Sequence, residues 1–373
     1  MSTAKVVTIV HPSSAVNNLV NDASGNVAVG NNLTVAGTST LTGNVTATGT
    51  VAMGSSFKRN RIINGNMVVD QRNAGASVTP TASNTYTLDR WGAYLSQSSK
   101  YSVQQVSDGP TGFTKSLKVT SLSAYTVLAT DFFSIEEVIE GYNVADLGWG
   151  ASGAATVTLS FWVKSSLTGT FGGALYNRAI NSYANTFSYT ISAANTWEQK
   201  TVTITGPTAS TWNTTNSGAI NVSFSVGMGS NYQAAAGSWG STTGRSVSGA
   251  VNVVSTNAAT WQVTGVQLEV GTKATPYEMQ IYSDQLAQCQ RYCYVATLGA
   301  GGYGNGGATI AAYNGYAVTM RATPTLSAAS ITYVNASGLS LDTITAFRFR
   351  QTWSVSGTGG TDVTYTLTAT AEL

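Results

Sequence analysis

The chain has 373 residues, a formal net charge of +2 and only 9% charged residues, against about 25% in ordinary globular domains. Aromatics stand at 10%, and Thr, Ser, Asn, Ala and Gly fill most of the remainder; this excludes ordinary disorder, which is charge-rich and aromatic-poor. No long basic run is present, so no nucleic-acid footprint is expected. A β-rich protein with a surface of hydroxyls and amides suits neutral partners such as glycans.

The length accommodates two or three domains. No stretch of 18 apolar residues occurs, so membrane insertion is not expected. The opening MSTAKVVTIVHPSS has neither the charged start nor the apolar core of a secretory peptide. Cys289 and Cys293 lie four apart with no His or Cys companions, so metal ligation is not expected. That spacing on a helix suits a disulfide poorly, and the pair is read as buried thiols of a protein made in a reducing cytoplasm. No cofactor and no metal are expected.

Residues 1–24 hold a short apolar strand, Val6 to Val10, and then a polar turn containing His11, the sole histidine, read as structural. This end is the expected attachment segment to a larger assembly. From Gly25 to Gly54, glycines at 25, 30, 37, 43, 49 and 54 mark a unit repeating about every six residues. Within it Val27, Val29, Leu33, Val35, Leu41, Val45, Val51 and Met53 alternate with Thr, Ala or Asn, the pattern of very short strands. One copy has too thin an apolar face to fold by itself, whereas three wound together would bury the Val and Leu rows. Residues 25–56 are therefore expected to be a trimerising β-stalk; the other reading is a Gly/Thr linker.

A cluster of Lys58, Arg59, Arg61 and Arg72 follows, read as a collar at a domain junction. Residues 62–69 are expected to form a strand pair turning at Asn64–Gly65, a dipeptide suited to tight hairpins. Strands are then expected at 86–95, 101–107, 116–122, 125–133, 155–166, 185–191, 198–205, 219–228 and 259–270. Ile135, Val138 and Ile139 add one turn of helix by their i, i+3, i+4 spacing. So many strands with hardly any helix predict a two-sheet β-sandwich or jelly roll over residues 57–279. YSDQLAQCQRYCYV, 282–295, begins as a helix and passes into a strand, LGAGGYGNGG is read as a flexible loop, and residues 280–373 form a second, smaller β-domain. The fold class is all-β.

The order of these pieces resembles bacteriophage tail-fibre and virion-surface fibre proteins. RIINGNMVVDQRN (61–73) with TLDRW (87–91) is similar to the opening of the carbohydrate-binding-module-like jelly roll found in such fibres. VTLSFWVKSS (157–166) and WQVTGVQLEVGTKATPYE (261–278) resemble its middle and closing strands. CQRYCYV (289–295) and VTMRATPTL (318–326) resemble parts of the small C-terminal domain that often follows. The resemblance implies a homotrimer, docking to virion proteins through the N-terminal segment, a place on the virion surface and contact with a host-surface glycan. Some relatives decorate the capsid, so a shell-stabilising role is the alternative.

Glycan recognition needs flat aromatic faces together with amides or carboxylates. Trp212 and Trp239 lie in polar, Gly-rich loops, as do Tyr232, Tyr303, Tyr313 and Tyr316; these are the candidate carbohydrate-binding residues, packing within their own loops or against a neighbouring subunit being the other reading. Trp162 joins them because alternation places it with Thr158, Ser160 and Lys164, opposite Val157, Leu159, Phe161 and Val163. Catalysis on a polysaccharide would need two carboxylates across a cleft. Glu136, Glu137 and Glu140 are the densest acidic group, and Glu136 with Glu140 would share a helical face. One His rules out a Ser/His/Asp set, and no enzyme is expected. Gly302–Gly307 matches GxGxxG without the strand-then-helix context that a phosphate loop requires.

Overall fold

The computed structural model describes residues 58–373 together with three short upstream strands, β1 (Thr8–Ile9), β2 (Leu19–Asn21) and β3 (Val27–Ala28). These three pair antiparallel in the order β1-β2-β3. The chain divides into two compact units, Met1–Gly54 and Ser55–Leu373. Apart from the three short strands, the expected attachment segment and trimerising stalk lie outside the described residues.

The second unit opens with β4 (Thr85–Leu88), β5 (Trp91–Leu95), β6 (Tyr101–Val106), β7 (Ser116–Ser121), β8 (Phe132–Glu140) and β9 (Val157–Ser165). It continues with β10 (Gly169–Asn177), β11 (Tyr183–Ile191), β12 (Glu198–Ile204), β13 (Gly218–Met228), β14 (Trp239–Ser241) and β15 (Thr260–Val270). They form a seven-stranded sheet, β14-β11-β10-β13-β8-β5-β4, and a five-stranded sheet, β12-β9-β15-β7-β6. Alternation decides which side chains meet between them. Val157, Leu159, Phe161 and Val163 of β9 and Trp261, Val263, Val266 and Leu268 of β15 face Phe133 and Ile135 of β8 and Val222, Phe224 and Val226 of β13, all fully buried. Phe224 is the hub, with its ring 4.9 Å from Phe161, 5.6 Å from Trp261, 6.2 Å from Phe187 and 6.3 Å from Trp91. The expected β-sandwich is present.

Four local expectations are corrected. The helical turn around Ile135, Val138 and Ile139 is instead part of β8, paired with β5 on one side and β13 on the other. Its Phe, Ile and Val content and two ladders of hydrogen bonds outweigh an accidental helical spacing. The strand expected from Tyr125 starts only at Phe132, because the Asp131 carboxylate accepts from the Leu128 amide at 2.9 Å and closes a turn. Asn64–Gly65 does turn, with Met67 N donating to Asn64 O at 3.0 Å, but no strand pair flanks it. The segment bonds to β15 instead, through Arg61 N to Leu268 O and Val266 N to Gly65 O, each 2.9 Å. A Cβ at Gly65 would sit 2.1 Å from Val266 O, so the close approach requires glycine. Finally, the loop expected at 298–307 is largely strand.

Residues beyond the sandwich form α1 (Tyr282–Gln290), the expected helix, passing into β16 (Cys293–Gly304). There follow β17 (Thr309–Gly315), β18 (Thr325–Val334), β19 (Ala336–Asp342), β20 (Arg348–Val355) and β21 (Gly359–Thr370). Two three-stranded sheets, β16-β21-β18 and β17-β20-β19, enclose a second core of Phe349, Trp353, Val363, Tyr365 and Leu367. Cys289 and Cys293 are buried free thiols, and burial pushes the Cys293 thiol up to about 12. Among the described residues no helix is long and apolar enough to cross a membrane.

Charged groups join the two cores. Arg90, 1% exposed, pairs with Glu372, donates to Val138 O and lies 3.7 Å above the Tyr292 ring. Arg72 reaches the other oxygen of Glu372 at 2.8 Å. Arg291 and the Tyr292 hydroxyl bond Glu140 at 2.7 and 2.5 Å. Gln71 Nε2 donates both to Asp89 Oδ1 and to Cys293 O.

Glu137 lies beside this network on the core side of β8, 1% exposed, with one oxygen accepting from Ile63 N at 2.9 Å and the other without a partner. Burial pushes its carboxyl up to about 8. Because the folded value lies above the ordinary value of 4.5, the folded state keeps a proton that the unfolded state releases. The stabilisation is complete below about pH 4.5 and is lost as pH rises through about 8. Glu137→Gln, which does not titrate, should therefore gain on the parent by roughly 3–5 kcal/mol between about pH 4.5 and pH 9. Urea denaturation of both proteins across that range measures it; a constant difference would show that Glu137 titrates normally.

Candidate functional site

The seven-stranded sheet presents a polar row on the face away from the core. Register places Tyr176 of β10 opposite Asn221 of β13, Ser223 of β13 opposite Glu136 of β8, and Ser134 of β8 between Ser225 and Tyr94 of β5. The alternation is direct: Asn221, Ser223 and Ser225 take turns with Val222, Phe224 and Val226. Glu136, 3% exposed, gathers this row. Its Oε1 accepts from Ser134 Oγ at 2.7 Å and Ser223 Oγ at 2.9 Å, and its Oε2 from Tyr176 Oη at 2.5 Å and Asn221 Nδ2 at 2.8 Å. Four donors fill the acceptor positions of a carboxylate. Burial, with Glu136 alongside, holds the Tyr176 hydroxyl protonated well above the usual tyrosine range.

The segment after β13 folds back over this face to make a wall. Arg245 N and Ser246 N both donate to Tyr232 O, and Arg245 Nη2 donates to Asn181 O at 2.6 Å. The Arg245 guanidinium stacks 3.4 Å from the Tyr176 ring centroid. Gly172 of β10 permits this approach, since a Cβ there would fall 2.2 Å from Ser246 Oγ. Tyr232 meets Phe132 edge-on at 5.3 Å. The result is a cleft of about 300 Å³ floored by Ser134, Glu136 and Tyr176 and walled by Tyr94, Phe132, Arg178, Tyr232 and Arg245. Several buried polar atoms on or against this face have no hydrogen-bond partner among the described residues: Tyr94 Oη, Asn221 Oδ1, Ser225 Oγ, Thr186 Oγ1 and Ser246 Oγ. Burial holds the Tyr94 hydroxyl in its protonated, donating form.

The sequence-predicted residues are distributed over several places. Tyr232 lies in the cleft. Trp212 and Trp239 come together in a cluster with Trp149 and Tyr183: the three indoles are 4.9 to 5.5 Å apart, and Tyr183 stacks on Trp239 at 5.6 Å. Each indole N–H donates to a nearby backbone carbonyl, Trp149 to Ala155, Trp212 to Ala209 and Trp239 to Thr205. Beside Trp149 and Trp212 lies a recess of only about 80 Å³. Trp162 is half-buried on the outer face of the other sheet, as alternation required. It sits next to Gly265, whose φ of +62° and proximity to Phe113 exclude a side chain. Tyr303 and Tyr313 are 76% and 58% exposed in β16 and β17, while Tyr316 packs between Tyr294 and Phe349.

Sequence reading did not select Tyr94, Tyr176, Arg178 or Arg245. The signal available was the strict Asn/Ser/Ser alternation of β13 beside the Ser134–Glu136 alternation of β8, which marks a polar floor once both are read as strands. Glu136 and Glu140, the carboxylates weighed for catalysis, are both occupied, one by four neutral donors and the other by Arg291 and Tyr292. Among the described residues no group of three or more His, Cys, Asp or Glu is arranged to hold a metal ion.

No protein-family model matches the chain, and no curated protein matches it. Solved structures similar to it include the enzymatically active domain of tailspike protein 4 of bacteriophage CBA120, at 12% identity and a TM-score of 0.33 over 57% of this chain and 22% of that one. The chain thus spans about a fifth of that protein. A family 11 carbohydrate-binding module of a Clostridium thermocellum cellulosomal cellulase aligns at 13% identity and a TM-score of 0.27, over 53% of this chain and 98% of the module. TmCBM61, solved with β-1,4-galactotriose, aligns at 9% and 0.29, over 58% and 99%. At these scores the likeness carries no argument about this chain.

Because Glu136 accepts from four donors at once, removing its carboxylate strands the hydroxyls of Ser134, Ser223 and Tyr176, while Asn221 Nδ2 keeps its bond to Tyr176 Oη at 2.7 Å. Glu136→Leu should destabilise the second unit by roughly 3 kcal/mol or more, whereas Glu136→Gln, which keeps one acceptor, should cost less. Denaturant titration of the two variants decides the order; equal and small losses would mean that the row is held by the backbone alone.

Proposed function

We propose that the chain is a structural fibre protein of a phage particle and that the cleft on its seven-stranded sheet holds a glycan of the host surface. One observation carries the binding reading: the aromatic rings of Tyr94, Phe132 and Tyr232 stand around a cleft whose remaining lining is largely polar, with Ser134, Tyr176, Asn181 and Thr243 beside Arg178 and Arg245. Sugar C–H groups pack on such faces, and sugar hydroxyls exchange hydrogen bonds with such a polar lining. The occupied state of Glu136 favours adhesion over hydrolysis, since a saturated carboxylate has no lone pair with which to accept or deliver a proton in a reaction.

Purified, fluorescently labelled protein should bind intact host cells saturably, and soluble surface polysaccharide should compete. Tyr232→Ala, which removes an aromatic wall of the cleft, should weaken binding about tenfold or more. Loss of binding in Trp212→Ala or Trp239→Ala but not in Tyr232→Ala would move the site to the indole cluster. Failure to bind any host cell would overturn adhesion and leave the capsid-decoration reading.

The fibre part of the proposal is supported by the six-residue repeat at 25–54 and by the resemblance of residues 61–73, 87–91, 157–166 and 261–278 to phage fibres. In it, residues 1–24 dock to virion proteins and residues 25–56 trimerise. Light scattering should return three times the chain mass of 38.6 kDa, and deletion of residues 1–54 should weaken association. A monodisperse full-length monomer would contradict it.

A further inference from the structure

The charges of the cleft do not balance. Two guanidiniums, Arg178 and Arg245, line it against one carboxylate, Glu136. Neither arginine takes part in an ion pair among the described residues. Arg245 is fixed by two backbone carbonyls, Gly244 and Asn181, and by the Tyr176 ring, so its charge is held in place but its fork is engaged. Arg178 differs. Its amide is tied to Ala219 O at 2.9 Å, and its stem lies across Gly218, where an added Cβ would come within 2.8 Å of Arg178 Cγ. Arg178 is half-buried in the cleft wall, and its guanidinium has no partner among the described residues.

Glu136 does not answer this charge, because its four acceptor positions are filled by Ser134, Ser223, Tyr176 and Asn221. The Tyr94 side chain lines the same cleft. A seated stem with an open planar fork is an arrangement suited to a planar anion, since a guanidinium meets a carboxylate through two parallel N–H bonds and a seated stem has less freedom to lose on binding.

We infer that the glycan taken by this cleft is acidic, a saccharide whose sugar carries a carboxylate, and that Arg178 receives it while Arg245 adds to the field. This rests on the glycan-binding reading above and names its ligand class. It runs against the composition, since a chain with so few charges is expected to favour neutral partners, and the selectivity is local to the cleft.

The test is an equilibrium binding panel on the full-length protein. It contains uronate polysaccharides (polygalacturonate, hyaluronan, alginate), sialylated oligosaccharides, the carboxyl-reduced form of each, sulfated galactans and neutral glucans and galactans. At least one carboxylate-bearing member should bind, and reducing its carboxyl to an alcohol should weaken binding about tenfold or more. Arg178→Gln should cost the same factor on the acidic form and nothing on the reduced form, with an unchanged thermal transition, while Arg178→Lys should recover only part of the loss. Raising the salt from about 0.05 to about 0.5 M should weaken the acidic ligand and spare the reduced one. Equal affinity for acidic and reduced forms, or binding of sulfated members alone, overturns the acidic-sugar inference and leaves glycan binding standing. If no saccharide of any class binds, both fall.

Discussion

The second unit depends on one buried ion pair. Arg90, in the turn between β4 and β5, is sequestered with Glu372, while the face of Tyr292 and the carbonyl of Val138 complete its surroundings. These groups come from the sandwich, from the residues just before β16 and from those just after β21. Withdrawing such charges from water costs several kcal/mol per ion unless their hydrogen bonds are met, so the arrangement tolerates only a narrow relative placement of the two cores. Arg72 and Arg321 reinforce it, the first through the second oxygen of Glu372 and the second by donating to the carbonyls of Asn216, Ala371 and Glu372. Apolar packing gives each core its cohesion, and the charged junction sets their register.

The cleft follows a related logic on a smaller scale. Glu136 does for β8, β10 and β13 what Glu372 does for the two cores: one carboxylate takes donors from several strands and fixes their side chains against one another. Having spent all of its lone pairs within the protein, it serves the rigidity of the floor, and under the proposed glycan-binding reading recognition falls to the walls, where Arg178 stands.

Much of this was legible in the sequence. Alternation in VTLSFWVKSS, AINVSFSVGM and ATWQVTGVQLEV located β9, β13 and β15 and placed Trp162 on the outer face, because period two is a direct image of the pleat. The helix before Cys293 was also readable. Misreadings came where local chemistry was overruled at long range. Ile135, Val138 and Ile139 mimic a helix, yet two neighbouring strands claim their backbone. Asn64–Gly65 turns as its residues demand, but its flanks bond to β15, some two hundred residues away in sequence. The site was less legible than the fold for the same reason. Trp212 and Trp239 stood out by their polar neighbours and did prove to be gathered, but with Trp149 and Tyr183. Tyr94, Tyr176, Arg178 and Arg245 become neighbours only when three separate segments are folded together, and no local pattern announces such a meeting.

Gly172 lies where the returning segment rests directly on the sheet, with Ser246 almost in the place of a side chain. The width of the cleft is thus governed by a missing methyl group. Arg245, next to Ser246, is carried by the same contact, so the position of its charge above Tyr176 is linked to the flatness of the sheet at one residue. A substitution that lifted the segment would act as a change of aperture, widening the cleft while drawing a positive charge away from its floor, without altering any residue that lines it.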